Sequence, residues 1–372
     1  MNTAAASNGF FRRLILPGLA FKAVVIGGGY ATGREIAEFF FSSGPLGGLF
    51  GLLLAMVIWS LVCAVTFEFA RQVKASDYRA FFSELLGPAW VVFEAAYVLF
   101  MILVIAVIAA AAGEIGMAVL AWPKWLGTAL LLALIIGVVT LGTAAAERVF
   151  RYSSVLIYVV YALFLAIALY AFSDAIWGNL ATRPPGPGWV VGGLTYASYN
   201  VIGAVLILPF LRHQVSRRDA IVSGMLAGPL AMLPALGFYL SMAAFTPEIG
   251  AAALPSDFIL SRIGLPWFAM LFQAMIFIAL LETGIGIVNA LDERAAAAAR
   301  LRGREMPGWA RLALSGAIVL GSGLIAARLG LIDLIAAGYG AFGWIMLILF
   351  VLPLLTLGTY RIVKRPRETM PS

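Results

Sequence analysis

From residue 14 to residue 360 the chain is a near-continuous succession of apolar windows, most about 20 residues or longer, the length at which a helix crosses a bilayer core. No polar block between them is long enough to build a soluble domain. With 63% hydrophobic and 12% charged residues, against roughly 25% charged in a soluble domain, the whole chain belongs in a membrane. Windows bounded by charge, Gly and Pro predict ten spans, near 14–42, 46–73, 89–121, 125–143, 150–173, 189–211, 219–244, 266–291, 310–328 and 333–360. The N-terminal stretch to Arg13 lacks the features of a cleaved signal peptide, so the first span is expected to be retained.

Loop charges orient these spans. With a cytoplasmic N-terminus, nineteen of the 25 basic residues fall on the cytoplasmic side, while Lys124, Arg183, Arg262 and Arg328 fall opposite. Lys22 and Arg34 lie inside span one. The expectation is a multi-pass protein of the bacterial inner membrane with both termini cytoplasmic. The net charge of +7 thereby has a topological reading, and nucleic acid is not implied. The AAAAA run flanked by Glu293, Arg294 and Arg300 predicts that span eight continues past the membrane as a polar helix over Asp292–Arg302. The loop Arg183–Gly188 (RPPGPG) separates a first half, 1–182, from a second, 183–372, with five spans in each. An odd number of spans per half inverts the second copy, a pattern of inverted-repeat transporters when corresponding helices are interrupted.

Several chemistries are excluded. Cys63 and His213 are the sole cysteine and histidine, so no disulfide, zinc cluster, Ser-His-Asp triad or haem ligand pair can form within the chain. No enzyme activity, cofactor or metal centre is expected. Gly28-x4-Gly33-Arg34 has the glycine spacing of a phosphate loop, but Arg34-Glu35 replaces Lys-Ser/Thr and no strand precedes it.

Two interruptions are predicted. Gly27, Gly28 and Gly29 each weaken a helix by roughly 1 kcal/mol relative to Ala, so span one should open there. Thr32-x-x-Glu35 reads as a capping box that restarts the helix at about Gly33. In span six, Gly192-Gly193 precedes the polar run Thr195–Asn200, and a break is expected around Tyr196–Asn200. Unwound backbone at membrane depth requires surrounding protein or a water-filled cavity.

The segments GGGYATGRE (Gly27–Glu35), YASYN (Tyr196–Asn200) and TGIGIVNALDER (Thr283–Arg294) resemble the three recurring signatures of the YkvI family of bacterial membrane proteins. That family is similar to the amino acid–polyamine–organocation superfamily with the LeuT-like fold. The resemblance implies ten helices in a five-plus-five inverted repeat with broken helices one and six. It also implies secondary transport by alternating access. A small amino-acid-like or amine solute would then meet Gly27, Gly28, Gly29, Tyr30, Ala31 and Thr32 on one side and Tyr196, Ser198, Tyr199 and Asn200 on the other. The free amides after the break would suit a carboxylate, and the tyrosine faces an ammonium, so the charge of the solute stays open. A non-transporting receptor on a transporter scaffold, or a Na+-coupled symporter, is the alternative.

Charges inside the membrane cost about 2.5–3.5 kcal/mol or more and should find partners. At ~1.5 Å per residue, Lys22 and Glu282 lie in one layer, about 12–13 Å from the cytoplasmic end. Arg34 and Glu114 form a second candidate pair, about 10–12 Å from the other side. Arg34 also has Glu38 at i+4, and Glu35 has the capping role. Glu68 either joins Lys22 and Glu282 or reaches for the headgroups. The ion site that LeuT-like proteins commonly keep between helices one and eight is approached by Lys22, Glu282 and Thr283. Proton coupling or exchange is therefore expected over Na+ symport, with Glu282 as the protonation site.

Overall fold

The computed structural model describes residues 9–25, 30, 32–141, 143–301 and 303–364, with backbone alone for 143–156 and 301. Every regular element among them is helical. A π-helical turn, Phe11–Ile15, leads into α1 (Leu16–Val25), and the chain resumes as α2 (Arg34–Phe40). Then follow α3 (Gly44–Val73), α4 (Tyr78–Leu86), α5 (Trp90–Leu120), α6 (Lys124–Leu141), α7 (Thr143–Ala171) and α8 (Ser173–Thr182). After the Pro/Gly loop come α9 (Trp189–Asn200), α10 (Gly203–Leu206), α11 (Arg217–Ala243), α12 (Pro255–Ile263), α13 (Pro266–Leu301) and α14 (Gly308–Asp333). The last apolar stretch passes through a π-helical turn, Leu334–Tyr339, into α15 (Gly340–Met346), and through further π-turns into α16 (Thr359–Lys364).

Local chemistry explains the helix ends. The Asp77 carboxylate accepts the Ala80 amide at 2.9 Å and starts α4. Ser216 and Asp219 form a reciprocal capping box at the start of α11. Between helices, small residues set the spacing. A Cβ added at Gly224 of α11 would collide with the Ala64 backbone of α3, and one at Gly228 with the Met56 carbonyl and the Ser60 hydroxyl. Lipid is as apolar as a leucine side chain, so close approach of backbones rather than a hydrophobic drive holds such a pair. Two polar ties support it: the Tyr239 hydroxyl of α11 donates to the Pro45 carbonyl of α3, and the Ser60 hydroxyl of α3 donates to the Met225 carbonyl of α11 at 2.9 Å. Outward-facing Val57, Leu99, Leu233, Leu320 and Leu324 leave a broad apolar surface of the kind a lipid phase covers.

Seven of the described helical stretches are long and apolar enough to cross a membrane, or eight if 157–171 and 173–182, bent by 69°, are one span. The ten windows read from the sequence do not map one-to-one onto these. The windows 310–328 and 333–360 run together as one stretch, Gly308–Lys364, kinked at Gly330 where φ is 76°. Span one is divided by residues outside the description. The sequence also conceals three short helices, α4, α8 and α12, whose mixed composition gave no span signal. The polar continuation of span eight is helical to Leu301, and its Asp292 is tied to Arg311 of α14 at 2.7 Å.

Candidate functional site

Gly33 enters α2 at φ 82°, a left-handed conformation open to glycine and costly for other residues. Its amide bonds the Tyr30 carbonyl at 3.0 Å, closing a turn immediately before the helix. Space is also short here, because an added Cβ would lie 2.7 Å from the Phe238 ring. In the second interrupted segment, side chains add bonds to helix carbonyls. Ser198 donates to Leu194 at 2.7 Å, Asn200 to Tyr196 at 3.0 Å, and Trp59 to Ala197. The chain then turns at Val201–Ile202 into the four-residue α10 and a 3-10 turn, Leu208–His213. The break therefore falls just after Asn200 rather than within Tyr196–Asn200, whose residues remain helical.

A cavity of about 170 Å³ lies where these interrupted segments meet α5, α13 and the turn before α15. Val24 and Val25 from the end of α1, Glu35 from the first turn of α2, and Tyr199, Asn200 and Ile202 line one part of it. Tyr97, Phe100 and Met101 of α5, Thr283 and Ile287 of α13, and Tyr339 form most of the remaining wall, with the aliphatic Val104, Ile108 and Leu206. Glu35 is 6% exposed, and its carboxylate accepts the Tyr199 hydroxyl at 2.6 Å. Phe100, Tyr199 and Tyr339 form a triangle of rings with centroids 6.2, 5.7 and 4.9 Å apart. Behind the wall, the buried hydroxyl of Tyr196 has no hydrogen-bond partner among the described residues, which is rare for an enclosed polar atom.

The site residues expected from the sequence divide into groups. Tyr199, Asn200, Glu35 and Thr283 reach the cavity. Tyr196 and Ser198 do not line it: Tyr196 packs against Trp59 and Phe40, and Ser198 is buried against its own helix. Gly27, Gly28, Gly29 and Ala31 lie outside the described residues.

The capping box at Thr32 is not formed. Gly33 is the N-cap, without a side-chain cap, while Glu35 turns to Tyr199; Thr32 Oγ1 accepts the Arg34 amide at 3.3 Å. A left-handed cap residue redirects the first turn and moves the Glu35 carboxylate toward α9. The Arg34–Glu114 pair is likewise replaced. Arg34 binds Glu38 at 2.6 Å on its own helix face, and Lys124, just across a short loop, takes Glu114 at 2.5 Å. Lys22 stands 4.5 Å from the Tyr158 ring centroid, and no Lys22–Glu282 ion pair occurs among the described residues. Glu68 neither joins that layer nor snorkels: it is buried and binds Arg71 at 2.8 Å.

Sequence reading missed the walls from α5 and Tyr339, and an ionic cluster adjoining them. Arg294 of α13 meets Glu94 of α5 at 3.3 Å, and its guanidinium lies 4.3 and 4.4 Å from the Tyr78 and Tyr97 ring centroids. Tyr97 is shared between this cluster and the cavity. On the other flank the Arg34 guanidinium donates to the Gly250 and Ala252 carbonyls at 2.7 and 2.8 Å. The aromatic residues Phe93, Tyr97 and Phe100, recurring at i, i+4 and i+7, were the available signal for the α5 wall.

No family model matches the chain. The uncharacterized membrane protein YkvI of Bacillus subtilis (strain 168) is 26% identical over 213 residues, 56% of this chain. The match spans 61% of that relative's length. MhsT in complex with L-phenylalanine superposes with a TM-score of 0.59 at 16% identity, covering 93% of this chain and 96% of that one. A substrate-bound, outward-open Na+-coupled sialic acid symporter gives 0.59 at 15% identity, over 91% and 78%. The manganese transporter of Eremococcus coleocola gives 0.54 at 14% identity, over 95% and 80%. The likeness to these structures is one of fold: the chain is a YkvI-like multi-pass membrane protein with the LeuT-like architecture.

Proposed function

Proceeding from a YkvI-like chain with the LeuT-like architecture, we propose that this protein is a secondary transporter of a small amino-acid-like or amine solute, working by alternating access. The observation that carries the reading is the cavity between the two interrupted segments, which holds one buried carboxylate and several aromatic rings. Discontinuous helices meeting near mid-membrane are where solute sites of such folds are built. Relatives in fold include one solved with L-phenylalanine, a sialic acid symporter and a manganese transporter, so the architecture serves chemically diverse solutes.

In this reading 1–182 and 183–372 are the two inverted halves, and both termini face the cytoplasm of the inner membrane. Gly27–Thr32 contributes backbone to the solute site, opposite Tyr199 and Asn200. Coupling is to protons or to solute exchange rather than to Na+. Lys22, Glu282 and Thr283 form the region between helices one and eight where a coupling ion would act, and Thr283 is the member of that set on the cavity wall.

Flux tests the reading directly. Proteoliposomes containing the purified protein should accumulate labelled solute from an amine and amino-acid panel when a proton gradient or internal solute is supplied. Saturable binding without flux would favour a receptor on a transporter scaffold. Uptake that depends steeply on Na+ and ignores pH would replace proton coupling with symport.

A further inference from the structure

Glu35 is the carboxylate on the cavity wall, and no cationic side chain of the described residues pairs with it. The charged neighbours on its own helix, Arg34 and Glu38, neutralise each other at 2.6 Å. The groups facing it from the elements around it are phenols: Tyr199 and Tyr196 of α9, Tyr339, and Tyr30. From α3, Glu68 is held by Arg71, and Cys63 is a buried thiol. From α11, Tyr239 gives its hydroxyl to the Pro45 carbonyl. Glu248, in the turn beside α2, is exposed toward Arg262. Among the described residues the carboxylate is thus enclosed with one hydrogen-bond donor and no counter-charge, a state that carries a large desolvation penalty unless a proton or a cation joins it.

The surroundings select among possible guests. Tyr97, Phe100, Tyr199 and Tyr339 turn aromatic surface to the cavity, an arrangement that attracts ammonium groups. A solute carboxylate would meet Glu35 at close range, and like charges in a low-dielectric site repel strongly. The volume of about 170 Å³ compares with the ~150 Å³ apolar cavity that accepts a benzene molecule, so the guest is small.

Resting on the transporter reading, we infer that the solute is a small organic monoamine taken up as its ammonium ion, and that Glu35 binds this ammonium and a proton in alternation. When the ammonium arrives, the protonated carboxyl releases its proton to solvent; when the ammonium leaves, the carboxylate takes a proton back. Site charge is conserved in each step, and one proton moves against one amine.

The test uses the purified full-length protein in detergent. Titrations would compare benzylamine and isopentylamine with benzyl alcohol, phenylacetate and L-phenylalanine. The expected result is saturable binding of at least one amine, about one proton released per amine bound, and affinity falling as the medium is acidified. The alcohol and the two carboxylate-bearing probes should bind at least tenfold more weakly. Glu35→Gln should weaken amine binding tenfold or more and abolish proton release. Should that variant fail to fold, proton release by the wild type and retained binding by Glu35→Asp decide the matter. Absence of binding by both amines, binding without proton release, or tighter binding of phenylacetate or L-phenylalanine than of its matched amine each overturns the inference. Amine binding with proton release but no flux in proteoliposomes would sink the transporter reading and leave the site standing. Flux indifferent to Glu35→Gln would do the reverse.

Discussion

Two arginines flank the cavity and are held in different ways. Arg34, with 3% of its side chain exposed, donates to two backbone carbonyls, Gly250 and Ala252, and to Glu38. Arg294, with 17% exposed, is held by side chains alone: Glu94 and the faces of Tyr78 and Tyr97. Carbonyls in a tight turn cannot rotate away to find another donor, whereas side chains can change rotamer and re-pair with water. The Arg34 cluster is therefore a fixed bolt between α2 and the turn Glu248–Ala251, and the Arg294 cluster is a releasable clasp between α13 and α5. If alternating access operates, the clasp is the better candidate for the contact that opens and closes within a turnover.

The largest effect is expected at the bolt. Arg34→Ala leaves two partly buried carbonyls without their donor and removes the partner of Glu38. Breaking a buried, hydrogen-bonded charge in this way costs about 3–5 kcal/mol. Thermal unfolding in detergent should show a much lower midpoint, with solute binding lost as α2 and Glu35 move. A wild-type midpoint would mean that the carbonyls find other donors, and the distinction between bolt and clasp would disappear.

Gly33→Ala tests the same end through the backbone. An alanine forced to φ 82° costs about 1–2 kcal/mol, and its Cβ would press on Phe238. The variant should fold, lose stability by about that amount, and misdirect Glu35. Circular dichroism melts together with amine titration check both. Unchanged binding would show that α2 holds its direction through Arg34 alone.

These examples also show which features a sequence carries. The left-handed turn was readable as an interruption near Gly33 because glycine-rich, cap-like composition is a local signal, and Arg34–Glu38 was readable because i,i+4 spacing is local too. The capping role of Glu35 was misread, since the same T-x-x-E spacing permits a box and also a carboxylate turned outward; the position of α9 decides between them. Arg294 with Glu94 joins residues two hundred positions apart, and the Arg34 contacts to Gly250 and Ala252 involve backbone atoms that any residue supplies. Neither leaves a trace in composition or period. The aromatic wall was hidden for another reason: Tyr and Phe in a membrane helix serve equally as lipid-facing, core or pocket residues. Hydropathy picked out apolar helices able to cross a membrane, though not as the ten windows one-to-one, because lipid imposes its requirement segment by segment, and it overlooked α4, α8 and α12 because short helices of mixed composition carry no such requirement.

At the clasp, Arg294→Lys keeps a cation for Glu94 and removes the flat guanidinium that lies over the Tyr78 and Tyr97 rings. Lysine does not reproduce that geometry, and the lost cation–π contact is worth about 0.5–2 kcal/mol. Stability should fall slightly, while the balance between closed and open states shifts further than the melt suggests. The measurement is reactivity of a cysteine introduced at Met101, on the cavity wall, with Cys63 replaced by Ala. Faster labelling in Arg294→Lys than in the Arg294 parent supports a releasable contact. Equal labelling would make this cluster a second bolt.

The smallest effect is expected at Lys124–Glu114, an ion pair at the far end of α5 from Glu94. Its contact of 2.5 Å is shorter than that of Arg294 with Glu94, so distance alone would rank it as the stronger. Exposure argues the opposite: the Lys124 side chain is 55% exposed, and a flexible ammonium in reach of water gives up hydration and rotamer freedom to hold one geometry. Such pairs contribute about 0–1 kcal/mol, further reduced by salt where solvent reaches them. Lys124→Ala should therefore change the melting midpoint little and leave amine binding intact, and raising the salt concentration should shrink the remaining difference. A loss comparable to Arg34→Ala would mean that short charge contacts, rather than enclosure and the fixity of the acceptor, govern both ends of the molecule, and the contrast between bolt and clasp would need to be rebuilt on distance.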